Sequence, residues 1–318
     1  IDKMNFKLPP FAYWTPGEWE TKGAEYNEIR DNMLGWDITD FGFGNYEKDG
    51  LLLVTIRNGN FKDTKVATVT EGKLTVAISP DFAPMEFVDP TKTGQDMYVG
   101  FDVTLANYIA DELGLELVIM PMSFDACQTA VYTGTVDMSI SGYSWSEKRE
   151  ANYNLSSYYY AGENENEQVL ITLAANGDKF ATAESLAGAK IGAQNASLQQ
   201  ALVEAQLPDS ELVLNTDLGT LVLQLKSGEF DALAVADGNG DAIIAKNPEL
   251  AKSGFVFYVD PKETGNVIML QKGADDLTAA VNEILAESEQ YWEAWYADAQ
   301  SISGIDQSYD DQGNAITG

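Results

Sequence analysis

No histidine occurs in the 318 residues of the chain, and that absence removes a wide range of chemistry. Without imidazole there is no Ser-His-Asp or Cys-His nucleophile system, no histidine general base and none of the usual transition-metal centres. One cysteine, Cys127, is present. An internal disulfide is therefore impossible and no cysteine-based zinc site is expected. The apolar setting of Cys127 predicts a buried, inert thiol. No apolar run approaches the roughly 18 residues of a membrane span. Positive charge is scarce: 19 Lys and Arg stand against 50 Asp and Glu, for a net charge of -31. Such a surface repels nucleic acid and anionic lipid, so DNA and RNA are excluded as partners. An anionic ligand would have to find a local positive site. What is present, 45% apolar and 22% charged residues, is ordinary for a soluble globular protein. The length predicts two or three domains with real cores.

Arginine is rarer than lysine, and only Arg30, Arg57 and Arg149 occur. Arg149 closes the stretch TGTVDMSISGYSWSEKR (133–149), in which Gly134 marks a turn, Val136–Ile140 reads as a short strand, and small hydroxyls and rings follow at its carboxyl end. Ligands of open α/β sheets bind beyond the carboxyl ends of strands. A guanidinium presents a planar fork that matches a carboxylate bidentately. Arg149 is either that fork or a surface cation ending a strand–loop unit.

Residues 1–70 are rich in aromatics and turn residues, with a helix start at Thr15–Glu18 and a strand-like run at Leu51–Arg57. Asn60–Glu71 reads as a polar connector. From Lys73 strands and helices alternate: LTVAIS, a helix over 99–114, LELVIMPM, and a helix in SFDACQTAVYTG capped by Ser123. A second cycle follows QVLITLAA: AKIGAQ, a helix to about Gln206, ELVLNT, LGTLVLQLKSGEFDALAVAD, VFYVD and NVIMLQ. A final helix is predicted from Asp275 to Asp298, then a poorly structured tail. AVYTGTVDMSIS (130–141) and QLKSGEFDALAVA (224–236) share helix end, Gly, Asp and apolar strand, which predicts two lobes of like design.

Two resemblances follow from these motifs. FAYWTPGEWETKGAEYNEIRDNMLGWDITDFG and GLLLVTIRNG resemble the amino-terminal part of cupin-type D-lyxose isomerases. The metal-binding barrel of that family is missing, so the segment is expected to be a non-catalytic appendage. KLTVAISPDFAPMEF, YVGFDVTLANYIADELG, MSFDACQTAVYTGTVDMSISGYSWSEKR and NLSSYYY resemble the extracytoplasmic amino-acid-binding proteins of bacterial ABC transporters, the polar amino acid family. That resemblance implies an α/β, two-lobed, periplasmic-binding-protein-like fold of type II with two crossover strands, near 169–173 and 266–270. Lobe 1 would comprise 73–168 and 271–299, lobe 2 would comprise 169–270, and 300–318 would be a tail.

The same resemblance implies a ligand site. Arg149 would bind the ligand α-carboxylate, while Gly142 and Ser144 would serve its amino and carboxylate groups. Phe82 and Phe124 would be aromatic walls, with Met85 and Phe87 close by. Free amides and a hydroxyl at Ala196, Ser197 and Leu198 would complete the carboxylate site. Three positions depart from the family: Ser79 and Gln194 stand where relatives carry charged residues, and Asp237 lies one residue beyond the expected ammonium-pairing aspartate. Ser79 and Gln194 favour a neutral or polar L-amino acid. The implied protein is a monomeric receptor without cofactors that serves a membrane permease from the periplasm or as a surface-anchored protein. Ile1 in place of an initiator Met fits a product whose signal peptide has been removed.

The competing readings are an enzyme on the same scaffold, of dehydratase or cell-wall lyase type, and a sugar isomerase suggested by residues 1–60. Trp145 and Tyr143 either close the cleft or pack. Tyr158–Tyr160, Trp292 and Trp295 are expected to pack. Asp237-Gly-Asn-Gly-Asp241 lacks the glycine and glutamate that a calcium loop requires at its sixth and twelfth positions.

Overall fold

The computed structural model describes residues 66–160 and 167–303. The expected helix start at Thr15–Glu18, the run Leu51–Arg57, the acidic stretch 161–166 and the tail from 304 lie outside the described residues. Strand β1 (Lys73–Ile78) leads to a small antiparallel sheet of β2 (Asp81–Phe82), β3 (Glu86–Val88) and β4 (Tyr98–Val99). Then come α1 (Phe101–Leu113), β5 (Glu116–Pro121), α2 (Phe124–Tyr132), β6 (Met138–Ser144), α3 (Glu147–Asn152) and β7 (Tyr153–Leu155). The second cycle holds β8 (Gln168–Leu173), β9 (Lys190–Gln194), α4 (Leu198–Gln206), β10 (Glu211–Asn215), α5 (Leu218–Ser227), β11 (Ala232–Ala236), α6 (Asp237–Lys246) and β12 (Leu250–Val256). The chain ends with β13 (Asn266–Gln271), α7 (Asp275–Ser288) and α8 (Trp292–Ser303). Among the described residues, no helix is long and apolar enough to cross a membrane.

Two five-stranded sheets carry the fold, in the orders β5-β1-β6-β13-β7 and β10-β9-β11-β8-β12. β1 runs parallel to β5 and β6, and β9 runs parallel to β10 and β11. β13 enters the first sheet antiparallel, and β8 enters the second antiparallel. Strand side chains alternate between faces, so Leu74, Val76 and Ile78 of β1 pack with α1, α7 and α8, while Ala77 joins Phe124, Cys127 and Val131 of α2 on the other face. In the second sheet Ile191 and Ala193 pack on α4, and Val169, Ile171, Leu233 and Val235 pack on α5. With both faces covered, these strands read as apolar runs.

Three expectations need amendment. Residues 266–270 were expected in lobe 2, but β13 completes the first sheet, pairing Asn266 with Ser144 and Met269 with Leu155. The chain passes between the sheets ahead of β8 and ahead of β13, where Tyr159 N–H donates to the Asn266 carbonyl at 2.9 Å. The segment 237–246, which carries two glycines, is helical. Its Gly240 sits so close to the sheet that a Cβ would lie 3.2 Å from Val235 Cγ2. The final helix breaks into α7 and α8 through a turn of 3-10 helix at Glu289–Tyr291, and it reaches Ser303. Ser123 occupies the N-cap of α2, but its hydroxyl donates to Asp125 Oδ1 and makes no cap bond.

Candidate functional site

Between the two sheets lies a cleft lined by residues of both, with mixed polar and aromatic walls of the kind small-molecule sites use. The first sheet contributes Ser141, Gly142 and Ser144 from the end of β6, Arg149 from α3 and Asn266 from the start of β13. The second contributes Gln168, Gln194, Ser197, Leu198, Gln199 and Ala236. Phe82 and Phe124 complete the lining. The carboxyl ends of β6, β9 and β11 thus converge on one space, as an α/β sheet dictates.

Arg149 is the charge at its centre. It is 7% exposed, held by a short helix whose N-cap Ser146 accepts the Arg149 N–H at 3.2 Å. Its Nη1 donates to the Ser144 carbonyl at 2.7 Å, and its Nη2 donates to the Ala196 carbonyl of the second sheet at 3.0 Å. The guanidinium also lies 5.4 Å from the Tyr143 ring centre and 6.0 Å from that of Phe124, inside cation–π range. Among the described residues no carboxylate forms an ion pair with it. Burial pushes its pKa below the ordinary guanidinium value. Its hydrogen-bond partners are neutral carbonyls, and Glu263 acts on it without ion-pair contact; a buried cation so held is costly, and an anionic group from a ligand would offset that cost.

Phe82 packs against the cores of both sheets. It lies over Gly142, where a Cβ would meet Phe82 Cε1 at 2.7 Å and φ is +56°. A side chain at 142 would therefore be strained and would displace the ring. Ser197 caps α4, accepting the Gln200 N–H at 3.1 Å. The three amides expected to be free there differ. Ala196 N–H donates to Gln200 Oε1 at 2.8 Å, and Ser197 N–H donates to the Gln194 carbonyl at 3.3 Å. Ala196 itself has a left-handed φ of 62°, which turns its carbonyl toward Arg149.

Two expected site residues do not line the cavity. Ser79 is buried, and its hydroxyl donates to Asp81 Oδ1 at 2.9 Å. Asp237 pairs with Lys252 at 2.7 Å, and Lys252 also holds Asp241 at 2.7 Å. β11 ends at Ala236, so alternation aims Ala236 at the cavity and Asp237 away from it.

Asp81 was not singled out in the sequence. Gln194 Nε2 donates to its Oδ2 at 3.1 Å, and the Leu218 N–H at the start of α5 donates to the same oxygen at 2.7 Å. Both uncharged departures, Ser79 and Gln194, thus hydrogen-bond one carboxylate. Burial raises the Asp81 pKa, against the lowering effects of the Leu218 and Ser79 bonds. Gln168, Gln199, Ser141 and Asn266 were also missed. The Nδ2 of Asn266 is buried without a partner. Other aromatics pack: Tyr143 and Trp145 with Phe124, Tyr159 and Tyr160 on Phe101, and Trp295 on Tyr291. The Cys127 thiol is buried, which raises its pKa to about 12.

Comparison with known proteins adds two matches. The family of bacterial extracellular solute-binding proteins, family 3, matches residues 74–294. The D-lyxose isomerase family matches residues 1–92. The "Probable histidine-binding protein" of Campylobacter jejuni is 29% identical over 240 residues, which cover 71% of this chain and 88% of that protein. The amino acid ABC transporter substrate-binding protein AbpA of Streptococcus pneumoniae, solved bound to L-arginine, superposes with a TM-score of 0.67 at 31% identity. That match covers 73% of this chain and 96% of AbpA. The D-lyxose/D-mannose isomerase of Escherichia coli O157:H7 is 37% identical over 81 residues, but these span 25% of this chain and 36% of that enzyme.

Proposed function

The chain belongs to the bacterial extracellular solute-binding proteins of family 3, and from that premise we propose that its cleft takes an amino acid with a cationic side chain, arginine first. It is an amino-acid receptor of an ABC importer, and the relatives lend no support to the enzyme alternative. The observation that carries the site reading is Arg149, buried between two sheets and, among the described residues, in ion-pair contact with no carboxylate. The ligand α-carboxylate takes that place, with Ser144, Ser197 and the Leu198 amide around it. The Gly142 carbonyl and the Asn266 and Gln168 side chains surround its amino group, and Phe82 and Phe124 sandwich its apolar stem. The two sheets act as lobes that close over the ligand by hinge motion.

The preference for a neutral or polar solute gives way to a basic one for two reasons. AbpA was solved with arginine, and Asp81 stands immediately behind Gln194. A small swing of the Gln194 amide brings a carboxylate to the ligand's distal cation. The receptor works as an extracytoplasmic monomer and passes its ligand to a permease. A calorimetric screen of arginine, lysine, histidine, glutamine and leucine tests the reading. Arginine is expected to bind with micromolar or tighter affinity, and binding of leucine alone would refute the cationic assignment.

A further inference from the structure

Behind the cavity wall two carboxyl groups are sealed from solvent. Glu86 of β3 and Asp102 of α1 are both 0% exposed. Glu86 Oε1 accepts from the Ser141 hydroxyl, whose oxygen also accepts the Ser79 N–H at 3.0 Å. Asp102 Oδ2 accepts the Gly142 N–H at 2.9 Å and the Tyr159 hydroxyl at 3.0 Å. The remaining oxygens, Glu86 Oε2 and Asp102 Oδ1, are buried without a hydrogen-bond partner, and the two residues are held as neighbours by the Asp102 N–H, which donates to the carbonyl of Met85, next to Glu86, at 2.8 Å. The titratable groups acting on the pair are Asp81, Cys127, Tyr143 and Tyr159, none of them a cation at neutral pH. Two bare carboxylate oxygens in a dry interior repel one another unless a hydrogen lies between them.

We infer that Glu86 and Asp102 share one proton, and that the pair positions the Ser141–Gly142 wall of the ligand cavity. The inference rests on the receptor reading for its functional part alone. Burial raises both carboxyls above their ordinary range, and Glu86 is raised further by the neighbouring Asp102. The pair acts through its outer oxygens. Glu86 Oε1 fixes the Ser141 hydroxyl and Asp102 Oδ2 fixes the Gly142 amide, at the left-handed turn beneath Phe82. Asp102 Oδ2 also holds the hydroxyl of Tyr159, whose own amide bonds Asn266 on the opposite connection. The wall that meets the ligand and the segment that joins the sheets are thus fastened to the same carboxylate. Glu86 and Asp102 touch no ligand; they act through Ser141, Gly142 and Tyr159.

Amide substitution distinguishes a shared proton from simple packing. Glu86→Gln places N–H where the proton sits and keeps an acceptor for Ser141, and Asp102→Asn does the same from the other side. Each single variant supplies the one hydrogen required and is expected to bind arginine within about threefold of the parent. The double variant points two amide donors at each other, and it is expected to lose at least about tenfold in affinity and to melt below either single. A double variant that matches its better single in both respects would overturn the inference.

Two readouts need no ligand, so they stand even if no amino acid binds, an outcome that would sink the receptor reading alone. The infrared spectrum of the ligand-free parent should contain a protonated-carboxyl carbonyl band at neutral pH that Glu86→Gln removes; its absence in the parent refutes the shared proton. Because the folded state raises the Glu86 pKa, its contribution to stability is full below the unfolded value and is lost as pH rises. Glu86→Gln does not titrate, so its melting temperature should gain on the parent between about pH 5 and 8. A constant difference over that range would refute the inference.

Discussion

Replacing Arg149 by Met separates binding from folding. The side chain is 7% exposed and donates to the carbonyls of Ser144 and Ala196. Burying a guanidinium costs several kcal/mol, while charged hydrogen bonds return about 1.5–3 kcal/mol each. Two such bonds come close to cancelling that cost, and the methionine keeps much of the stem against Tyr143 and Phe124. In the ligand-free protein the change should therefore be within about 2 kcal/mol, or about 4–8 °C in melting temperature for a domain of this size. With ligand the balance is different, because the α-carboxylate loses its buried partner. That loss costs about 2–5 kcal/mol, which is roughly 30-fold to several thousand-fold in Kd. Calorimetry with arginine reads the second effect, and thermal melts with and without arginine read both. An affinity within threefold of the parent would refute the assignment of the fork. A ligand-free protein that fails to fold would refute the near-cancellation.

Other outcomes follow from the same geometry. Asp81→Asn should weaken arginine about tenfold or more and glutamine much less, measured by calorimetry; equal losses for both would show that Asp81 does not read side-chain charge. Since burial raises the Asp81 pKa, arginine affinity should fall as pH drops through the mildly acidic range, and Asp81→Asn should flatten that slope. Gly142→Ala forces a side chain into a left-handed backbone and onto Phe82; it should cost about 1–3 kcal/mol of stability and weaken binding, read by denaturant melts and calorimetry. Asp237→Asn should leave arginine affinity unchanged, because the carboxylate serves Lys252 outside the cavity, and a tenfold loss would restore it to the site.

The alternating strand–helix plan was legible because its strands are buried on both faces and its turns carry glycine. Gly114, Gly134 and Gly228 all adopt positive φ where helices end or strands begin. Arg149, Gly142, Ser144, Phe82, Phe124, Gln194, Ser197 and Leu198 line one cavity, because strand ends and helix starts are local features that residue order reveals. What was missed depended on long-range direction. Asp81 turns toward the start of α5, 137 positions away, which spacing cannot show. Asp237 fell on the wrong side because the counted position is Ala236, where β11 ends, and no bulge carries Asp237 into its place. α6 was hidden because Gly238 and Gly240 lower helix propensity, a loss recovered through close approach to the sheet and an Asn239 side chain that donates to the Ala83 carbonyl at 3.0 Å. The sheet membership of β13 could not be read from local pattern, since an antiparallel strand entering from a distant part of the chain leaves no periodic trace.

That strand has a consequence for the order of assembly. β13 lies between β6 and β7 in the first sheet, so the half made earliest keeps a gap beside its edge strand β7 until residues 266–271 have been synthesised. The other half draws all its strands from one unbroken stretch, Gln168–Val256, and can close first. A nascent chain stopped near residue 260 should therefore hold a protease-resistant second half beside a digestible first half, inverting the usual rule that the amino-terminal part settles before the rest.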